Sequence, residues 1–385
     1  MSFIPYGRQE IDEDDIAAVI AALKSDWLTT GPKVGEFEKA FAEFTGAKEA
    51  VAVSNGTAAL HCAMAGAGIG PGDEVIVSTM TFVASANAAV YMGATPVFAD
   101  VTPDTLTIDP ADVARKITPK TKAIVAVDYC GQPCDYDALW ALCEKHGLKL
   151  ISDACHAVCG EYRGKPVGTL ADFSTFSLHP VKHFTTGEGG LITTDDPEKA
   201  QLMRVFRNHG ITSDHRTRAA TGGFAYEQVM LGYNYRLTDI QSALGISQLK
   251  KLPQWQERRW AIAKRYREAF ADMNAVRPLA EVPHTKHGYH LFVVRIDPEG
   301  SRLTRDELFP ILRSKHELGI NVHYQPVHTQ PFYQQTFDTK IGDCPVAEAA
   351  WPQILTIPIW GNMTDAQADR VIDALRLETS GRAAA

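Results

Sequence analysis

Short hydrophobic runs rich in β-branched residues alternate with helical patterns along the first half of the chain. Such runs are typical of strands buried on both faces of a parallel sheet. The predicted strands are Ala50–Ser54, Glu74–Ser78, Thr95–Asp100, Lys122–Asp128, Lys149–Asp153, Ser174–Ser177 and Gly190–Thr193. The predicted helices are Thr57–Ala65, Phe82–Met92, Pro110–Ile117, Asp135–His146 and Pro197–His209. Repeated strand–helix units indicate an α/β domain whose mostly parallel sheet is covered by helices on both faces.

The pattern changes after about Leu244, where a smaller C-terminal α+β part is predicted. Its elements are a long charged helix at Gln248–Asn274 interrupted at Pro253, a strand at Tyr289–Ile296, a helix at Thr304–Leu318, a loop at Val322–Gln330 and a last helix at Thr364–Leu375. We therefore expect a large domain at 1–247 and a small domain at 248–385. The tail Ser380–Ala385 is expected to be disordered.

Charge and composition narrow the class of protein. The 385 residues are 45% hydrophobic and 22% charged, which fits a globular chain of about two domains. Lys and Arg number 38 against 46 acidic residues, for a net charge of −8 without a basic stripe. We expect neither nucleic-acid nor membrane binding. We see no leader pattern and no apolar run of about 18 residues, so a cytoplasmic location is expected.

The seven cysteines are too sparse for a disulfide framework. Cys130 pairs with Cys134 and Cys155 with Cys159, each at Cys-x-x-x-Cys spacing, and His156 lies within the second pair. Structural zinc usually has Cys-x-x-Cys spacing. We therefore predict reduced core thiols and no metal, with a zinc protein as the alternative that metal analysis would test.

Three predicted strand ends carry polar residues that can do chemistry. Open α/β sheets bind ligands beyond the carboxyl ends of their strands, so Ser54–Thr57, Asp153–His156 and Ser177–Lys182 should converge in one crevice. The segment Gly66–Gly70 imitates a dinucleotide fingerprint but follows a helix and precedes a strand. Because that order is wrong for the motif, we exclude a nicotinamide role.

Each strand end has an ordinary explanation beside the functional one. Gly56 and Thr57 open a helix, where backbone N–H groups bind phosphate, although most such turns are merely capped helix starts. Asp153 would pair with a cation in the crevice or cap a local turn. Lys182 would be a solvated surface residue, or a neutral amine that forms a Schiff base and moves protons. A glycine turn at Gly187–Gly190 beside Lys182 favours the interpretation as a Schiff-base amine.

Together these residues resemble the DegT-like sugar nucleotide aminotransferases, a family of fold-type I pyridoxal-phosphate enzymes with an aspartate-aminotransferase-like fold. The resemblance covers nearly the whole chain, and the order and spacing of its segments are specific. The segments are Trp27–Pro32, Ser54–Leu60, Asp153–Ala157, Ser177–Gly190, Asn208–Gly210, Gly232–Arg236, His323–Tyr324 and Leu355–Pro358.

The resemblance implies a set of roles for the cofactor pyridoxal 5′-phosphate. Lys182 would carry it as a Schiff base and act in catalysis. The remaining cofactor contacts would be Asp153 at the ring nitrogen, Gly56, Thr57 and Ser177 at the phosphate, Phe82 over one ring face, His156 beside the ring and Asn234 reaching the phosphate from the neighbouring subunit. A homodimer with shared active sites follows. Core packing for Phe82, and turn bonding for His156 and Asn234, stay open as alternatives.

Four further segments look closest to the branch that aminates a UDP-linked 4-keto-6-deoxy sugar for pseudaminic acid, with L-glutamate as donor. They are Ile4–Gln9, Met80–Asn87, Asp128–Pro133 and His179–Lys182. The candidate substrate contacts are Tyr6, Thr29, His323 and Tyr324. Departures from the family pattern are Cys155 and Cys159, where small residues are commoner, and His183, whose effect on the neighbouring amine stays open.

Three rival functions remain beside this one. Perosamine-type or legionaminic-type aminotransferases would act on other sugar nucleotides. Some family members dehydrate sugars and have histidine at the lysine position, and Lys182 argues against that activity. A non-catalytic regulator that binds pyridoxal phosphate would keep the fold without turnover.

Overall fold

The computed structural model describes residues 2–213, 218, 222 and 224–380. Its strands are β1 (Glu49–Val53), β2 (Glu74–Ser78), β3 (Thr95–Ala99), β4 (Thr121–Val127), β5 (Lys149–Asp153), β6 (Glu161–Tyr162), β7 (Lys165–Pro166), β8 (Phe173–Ser177), β9 (Gly190–Thr194), β10 (Val276–Pro278), β11 (Thr285–Lys286), β12 (Phe292–Ile296) and β13 (Ile354–Ile357). The strands predicted in the first half of the chain are all present.

The five helices predicted between residues 57 and 209 are present, and two helices that were not predicted precede β1. The described helices are α1 (Glu13–Leu23), α2 (Pro32–Thr45), α3 (Gly56–Ala67), α4 (Val83–Tyr91), α5 (Pro110–Lys116), α6 (Tyr136–His146), α7 (Pro197–Phe206), α8 (Asp239–Phe270), α9 (Arg305–Ser314), α10 (Pro331–Phe337), α11 (Pro345–Ala350) and α12 (Asp365–Thr379). Short 3₁₀ turns lie at Tyr129–Gly131, Val167–Thr169 and Val327–Thr329.

The main sheet runs in the order β1-β9-β8-β5-β4-β2-β3. Strands β3, β2, β4, β5 and β8 are parallel, whereas β9 is antiparallel to both β8 and β1. Both faces are buried: Val125 and Ile151 pack into one hydrophobic cluster, and Ile124 and Leu150 pack into the other. This two-sided burial explains the continuous apolar runs and confirms the predicted α/β class with a mostly parallel, mixed sheet.

The C-terminal part has a core of its own around the antiparallel sheet β10-β12-β13. Helix α8 begins at Asp239, not at Gln248 as predicted, and continues through Pro253. The prediction was wrong because Thr238 and Gln241 form a capping box that starts the helix earlier. The predicted boundary at 247/248 therefore falls inside α8, and the division into two domains stays a prediction.

The first residues of the chain join the C-terminal core. Ile4 is buried there, donates its N–H to the Glu317 carbonyl at 2.9 Å and accepts from Gly319 at 2.6 Å. The predicted disordered tail lies, beyond Ser380, outside the described residues. In the described part of the chain, no helix combines the length and the apolar character that crossing a membrane requires.

Candidate active site

The three strand ends converge on one cavity of about 740 Å³. Most of the residues predicted for the site line it, drawn from the strand ends, the start of α4, the N-terminal segment and the loop after α9. These are Tyr6, Gly56, Thr57, Phe82, Asp153, His156, Ser177, Lys182, His323 and Tyr324. Sequence patterns therefore located the cavity correctly.

Two glycines allow the backbone at the start of α3 to approach its neighbours closely. Asn55 caps the helix by accepting the Ala58 N–H at 2.8 Å. A Cβ on Gly56 would lie 2.9 Å from the Ser177 Cβ, and one on Gly190 would lie 2.3 Å from the Asn55 carbonyl oxygen. The first-turn N–H groups and the Ser177 hydroxyl thus line one corner of the cavity, and such a corner suits a phosphate group.

Asp153 ends β5 and is only 7% exposed. The Ser85 hydroxyl donates to one carboxylate oxygen at 2.6 Å, and the Cys155 N–H donates to the other at 3.2 Å. Because the Ser85 hydrogen is given to the carboxylate, the Thr81 hydroxyl, 2.7 Å away, donates to Ser85. These donors are neutral, so the carboxylate is held in position with its negative charge uncompensated by them.

Lys182 follows the end of β8 and is partly buried in the cavity wall. Burial lowers the pKa of its amine, and the nearby Cys155 and Asp153 oppose that effect. His183 beside it donates its Nε2–H to the Gly288 carbonyl at 2.8 Å. Burial holds the pKa of His183 well below its usual value, so the ring is neutral. The neutral ring adds no positive charge next to the amine.

Part of the cavity wall is aromatic. The Phe82 ring, 57% exposed, lies 6.0 Å from the Tyr324 ring, and the Tyr6 ring lies 5.5 Å from the His323 ring. His323 accepts a hydrogen bond from the Tyr129 hydroxyl at its carbonyl, and its Nδ1 lies 2.8 Å from the Thr356 hydroxyl. Burial lowers the pKa of His323 to about 3, so this histidine is neutral as well.

Two predicted site residues lie outside this cavity. Thr29 is exposed and forms an isolated bridge with Thr238. Asn234 is exposed and forms one with Asn208. Neither contributes to the cavity of its own chain, and the role predicted for Asn234 would require the neighbouring subunit.

Sequence patterns missed two residues that matter at the site. Ser85 faces the sheet from the first turn of α4, and no periodic pattern shows which strand end it meets. His290 lines the cavity at 5% exposure, with its ring centre 4.7 Å from that of His156. Its position just before β12 was the only signal, and it indicated a strand rather than a site.

The amino-acid sequence also matches a family model, described as the DegT/DnrJ/EryC1/StrS aminotransferase family, over residues 9–376. The chain belongs to this family. Lys182, Asp153 and the Gly56–Thr57 corner described above lie within the matched region.

Two proteins are similar to this chain over nearly their whole length. The spore coat polysaccharide biosynthesis protein SpsC of Bacillus subtilis (strain 168) is 42% identical over 375 residues, covering 97% of this chain and 96% of the relative. The putative sugar aminotransferase Spr1654 of Streptococcus pneumoniae, in its PMP form, is 32% identical with a TM-score of 0.91, covering 97% and 98%. Its PLP form gives a TM-score of 0.90 at the same identity and coverage.

Helicobacter pylori PseC, an aminotransferase involved in the biosynthesis of pseudoaminic acid, is similar as well. It is 32% identical with a TM-score of 0.91, covering 98% of this chain and 99% of PseC. This chain is therefore a sugar aminotransferase that depends on pyridoxal phosphate and has the aminotransferase fold.

The residues present fit this cofactor. The absence of a Cβ at Gly56 lets the first turn of α3 approach Ser177, so the free N–H groups of that turn and the Ser177 hydroxyl lie together and could bind a phosphate. Asp153 offers a positioned negative charge for a ring nitrogen, and Lys182 offers an amine whose pKa is lowered by burial. These three groups line the same cavity, which is the donor set that a phosphorylated pyridine aldehyde requires.

The structure describes the state of the seven cysteines, for which a zinc site was the alternative. All seven cysteines are free, and within the residues described above no group of three His, Cys, Asp or Glu side chains is placed to hold a metal ion. Burial raises the pKa of Cys159 to about 12 and that of Cys155 well above its usual value.

Proposed function

We propose that this aminotransferase moves an amino group from L-glutamate to a 4-keto-6-deoxy sugar carried on UDP, as in a pseudaminic acid type of pathway. One observation carries the proposal: Lys182, Asp153 and the Gly56–Thr57 corner line a single cavity. The similarity to PseC over 98% of the chain supports the choice of sugar.

The reaction needs a proton carrier at the amine and a fixed charge at the ring nitrogen. Bound pyridoxal phosphate supplies an electron sink and a carrier for the amino group. Lys182 Nζ, whose pKa is lowered by burial, takes the proton from the α-carbon of the donor and returns it on the cofactor side. Asp153, held by Ser85 and the Cys155 N–H, keeps a proton on the ring nitrogen.

A single lysine serves both halves of the reaction, so donor and acceptor use the cavity in turn. Glutamate would bind, give up its amino group and leave as 2-oxoglutarate before the keto sugar enters. Ping-pong kinetics follow. We assign Tyr6, His323 and Tyr324, which line the same cavity as Lys182 and Asp153, to the binding of substrate.

The spectrum of the purified protein tests the role of the lysine. The wild type with pyridoxal phosphate should be yellow, and borohydride should abolish that absorbance by reducing the imine. Lys182→Ala should lack the absorbance, whereas Lys165→Ala, at an exposed lysine, should keep it. An unchanged spectrum in Lys182→Ala would end the proposal.

A panel of keto sugar nucleotides, read by mass spectrometry, tests the substrate. We expect amination of the UDP-linked 4-keto-6-deoxy sugar with glutamate as donor. Amination only of a perosamine-type or legionaminic-type precursor would replace that substrate. Binding of the cofactor without amination of any sugar would favour the non-catalytic regulator.

We further propose that the enzyme is a cytoplasmic homodimer in which Asn234 reaches the partner's cofactor phosphate. The exposure of Asn234 outside its own cavity supports this. Lys182→Ala and Asn234→Ala should each lower activity, and refolding them together should restore about a quarter of wild-type activity, since half of the dimers then contain one intact site. No recovery on mixing would show that the sites are not shared.

A further inference from the structure

The side chain of His156 connects the backbone of the Tyr129–Gly131 turn to the hydroxyl of Tyr324 in the cavity. The Cys130 nitrogen lies 3.3 Å from His156 Nδ1. His156 Nε2 lies 3.2 Å from the Tyr324 hydroxyl oxygen. His156 is 6% exposed, and Tyr324 lines the cavity.

These two hydrogen bonds fix the tautomer of His156. A backbone N–H can only donate, so Nδ1 must be the acceptor and carries no hydrogen. Burial holds the pKa of His156 well below its usual value, and the neutral ring therefore carries its hydrogen on Nε2. That hydrogen is donated to the Tyr324 oxygen. The other tautomer would place two hydrogens between Cys130 and Nδ1 and leave both donors unsatisfied.

Because the Tyr324 oxygen accepts the His156 hydrogen, the hydrogen of the hydroxyl is not used in this contact. Burial raises the pKa of Tyr324 well above its usual value, so the phenol keeps that hydrogen. Among residues 2–213, 218, 222 and 224–380, His156 is the one hydrogen-bond partner of the hydroxyl. The hydrogen is therefore available to whatever molecule occupies the cavity.

The segments at both ends of this series of hydrogen bonds are held in place. The Cys130 carbonyl accepts from the Leu291 N–H at 3.3 Å, and the Gly131 carbonyl accepts from the Gly288 N–H at 2.7 Å. At Gly131, with φ of 113°, a Cβ would lie 2.4 Å from the Tyr289 nitrogen. At the other end, the Tyr129 hydroxyl holds the His323 carbonyl beside Tyr324. A donor fixed in this way needs no reorganisation when a ligand binds.

We propose that Tyr324 donates its hydrogen bond to the keto oxygen of the sugar and thereby sets specificity, and that His156 is the positioning residue that fixes its direction. The inference rests on the proposed function above. A keto oxygen only accepts, which matches the hydrogen that the Tyr324 hydroxyl has left to donate. The protonated amine of the product only donates, so it cannot accept that hydrogen. The arrangement therefore favours the keto substrate over the amino product.

Two half-reactions, followed separately through the cofactor absorbance, test the assignment. In Tyr324→Phe, kcat/KM of the keto-sugar half-reaction should fall about 10- to 100-fold, because a site built to bond that oxygen loses its donor. The glutamate half-reaction should change less than about threefold. The control Tyr162→Phe removes a hydroxyl that bonds Asp135 outside the cavity, and both half-reactions should then match the wild type.

Other outcomes of this experiment overturn the inference. An unaffected sugar half-reaction would remove Tyr324 from substrate recognition. Equal slowing of both half-reactions with a shifted resting absorbance would place the hydrogen bond on an oxygen of the cofactor instead. If the wild type aminates no keto sugar, the proposed function fails, and the substrate role of Tyr324 fails with it.

The tautomer of His156 can be measured independently of turnover. In cofactor-free protein labelled with ¹⁵N-histidine, the His156 signals are those that vanish in His156→Gln. They should report a neutral ring protonated at Nε2 from about pH 5 to 8. A ring protonated at Nδ1 would overturn the positioning role even if sugar turnover is normal.

Discussion

Two buried carboxylates, one in the cavity and one in the C-terminal core, are stabilised in opposite ways. Asp153 is 7% exposed and is bonded by the Ser85 hydroxyl and the Cys155 N–H. Glu378, on α12, is 3% exposed and is bonded by two cations and a histidine. Its partners are Lys315 at 2.7 Å, His316 at 2.8 Å and Arg302 at 2.8 Å.

The difference separates a structural charge from a functional one. The protein compensates the charge of Glu378 internally, so this carboxylate ties α12 to the loop after α9. At Asp153 the hydrogen-bond donors are neutral and supply orientation, so the charge stays free to act on Lys182 and on a bound molecule. Exposure alone does not distinguish these two residues, whereas the chemistry of their donors does.

Replacing Asp153 should have the largest effect on activity. Asp153→Asn keeps the shape and removes the charge, so we expect a loss of about 10²- to 10³-fold in kcat/KM, because a positioned charge pair with the ring nitrogen is lost. Its melting temperature should be that of the wild type within a few degrees. A variant that is inactive only because it unfolds would contradict the distinction drawn between the two carboxylates.

Replacing Glu378 should lower stability and leave activity unchanged, which is the reverse of the outcome for Asp153. Glu378→Gln should lower the free energy of unfolding by about 2 kcal/mol, since Lys315 and Arg302 lose the negative charge that they pair with. The folded fraction should keep wild-type kcat/KM. The control Glu281→Gln, which breaks the partly exposed pair with Arg267, should cost less than about 1 kcal/mol in a denaturant titration.

Acid should remove the contribution of Glu378. Hydrogen bonds from Lys315 and then His316 lower the pKa of Glu378 from 4.5 to about 2. A carboxylate with a lowered folded pKa stabilises the protein above its unfolded pKa, and that stabilisation is lost as the pH falls towards the folded value. The difference in unfolding free energy between wild type and Glu378→Gln should therefore shrink between about pH 5 and 2. A constant difference would count against the pairing.

Ser85 should affect the orientation of Asp153 rather than its charge. Ser85→Ala removes the 2.6 Å hydrogen bond, and we expect kcat to fall about tenfold. Thr81→Val acts one bond further away and should have a smaller effect. If Ser85→Ala matched Asp153→Asn, orientation and charge would not be separable at this site.

The sequence was informative where strands end. A buried run that stops at a polar residue places that residue at the ligand-binding edge, which is why Gly56, Asp153 and Lys182 could be placed in one crevice. Continuous apolar runs do not show strand direction, so the antiparallel pairing of β9 with both β1 and β8 was not predictable in detail.

Contacts between distant segments could not be predicted. Ser85 and Asp153 are 68 residues apart, and Cys130 meets His156 only because two loops pack together. The start of α8 depended on a capping box that apolar periodicity does not detect. Orientation of the site is thus determined by tertiary packing, while its chemical groups are recognisable locally.

A third buried carboxylate, Asp128, extends the comparison of Asp153 with Glu378. Its replacement is the change from which we expect the smallest effect. It is fully buried and bonded by the Cys134 N–H and by the Tyr136 and Ser152 hydroxyls, but it does not line the cavity. Burial raises the pKa of Asp128 to about 7, so a sealed carboxylate with neutral donors keeps its proton instead of its charge.

The raised pKa of Asp128 has a defined consequence for stability. Between about pH 4 and 7 the folded state keeps a proton that the unfolded state releases, so stability falls as the pH rises through this window. Asp128→Asn removes that titration, and relative to the wild type it should gain at least about 1 kcal/mol in unfolding free energy between pH 4 and 8. Denaturant titrations at both pH values measure the gain. A pH-independent difference would mean that Asp128 is charged when folded, and that access to a ligand is not what separates it from Asp153.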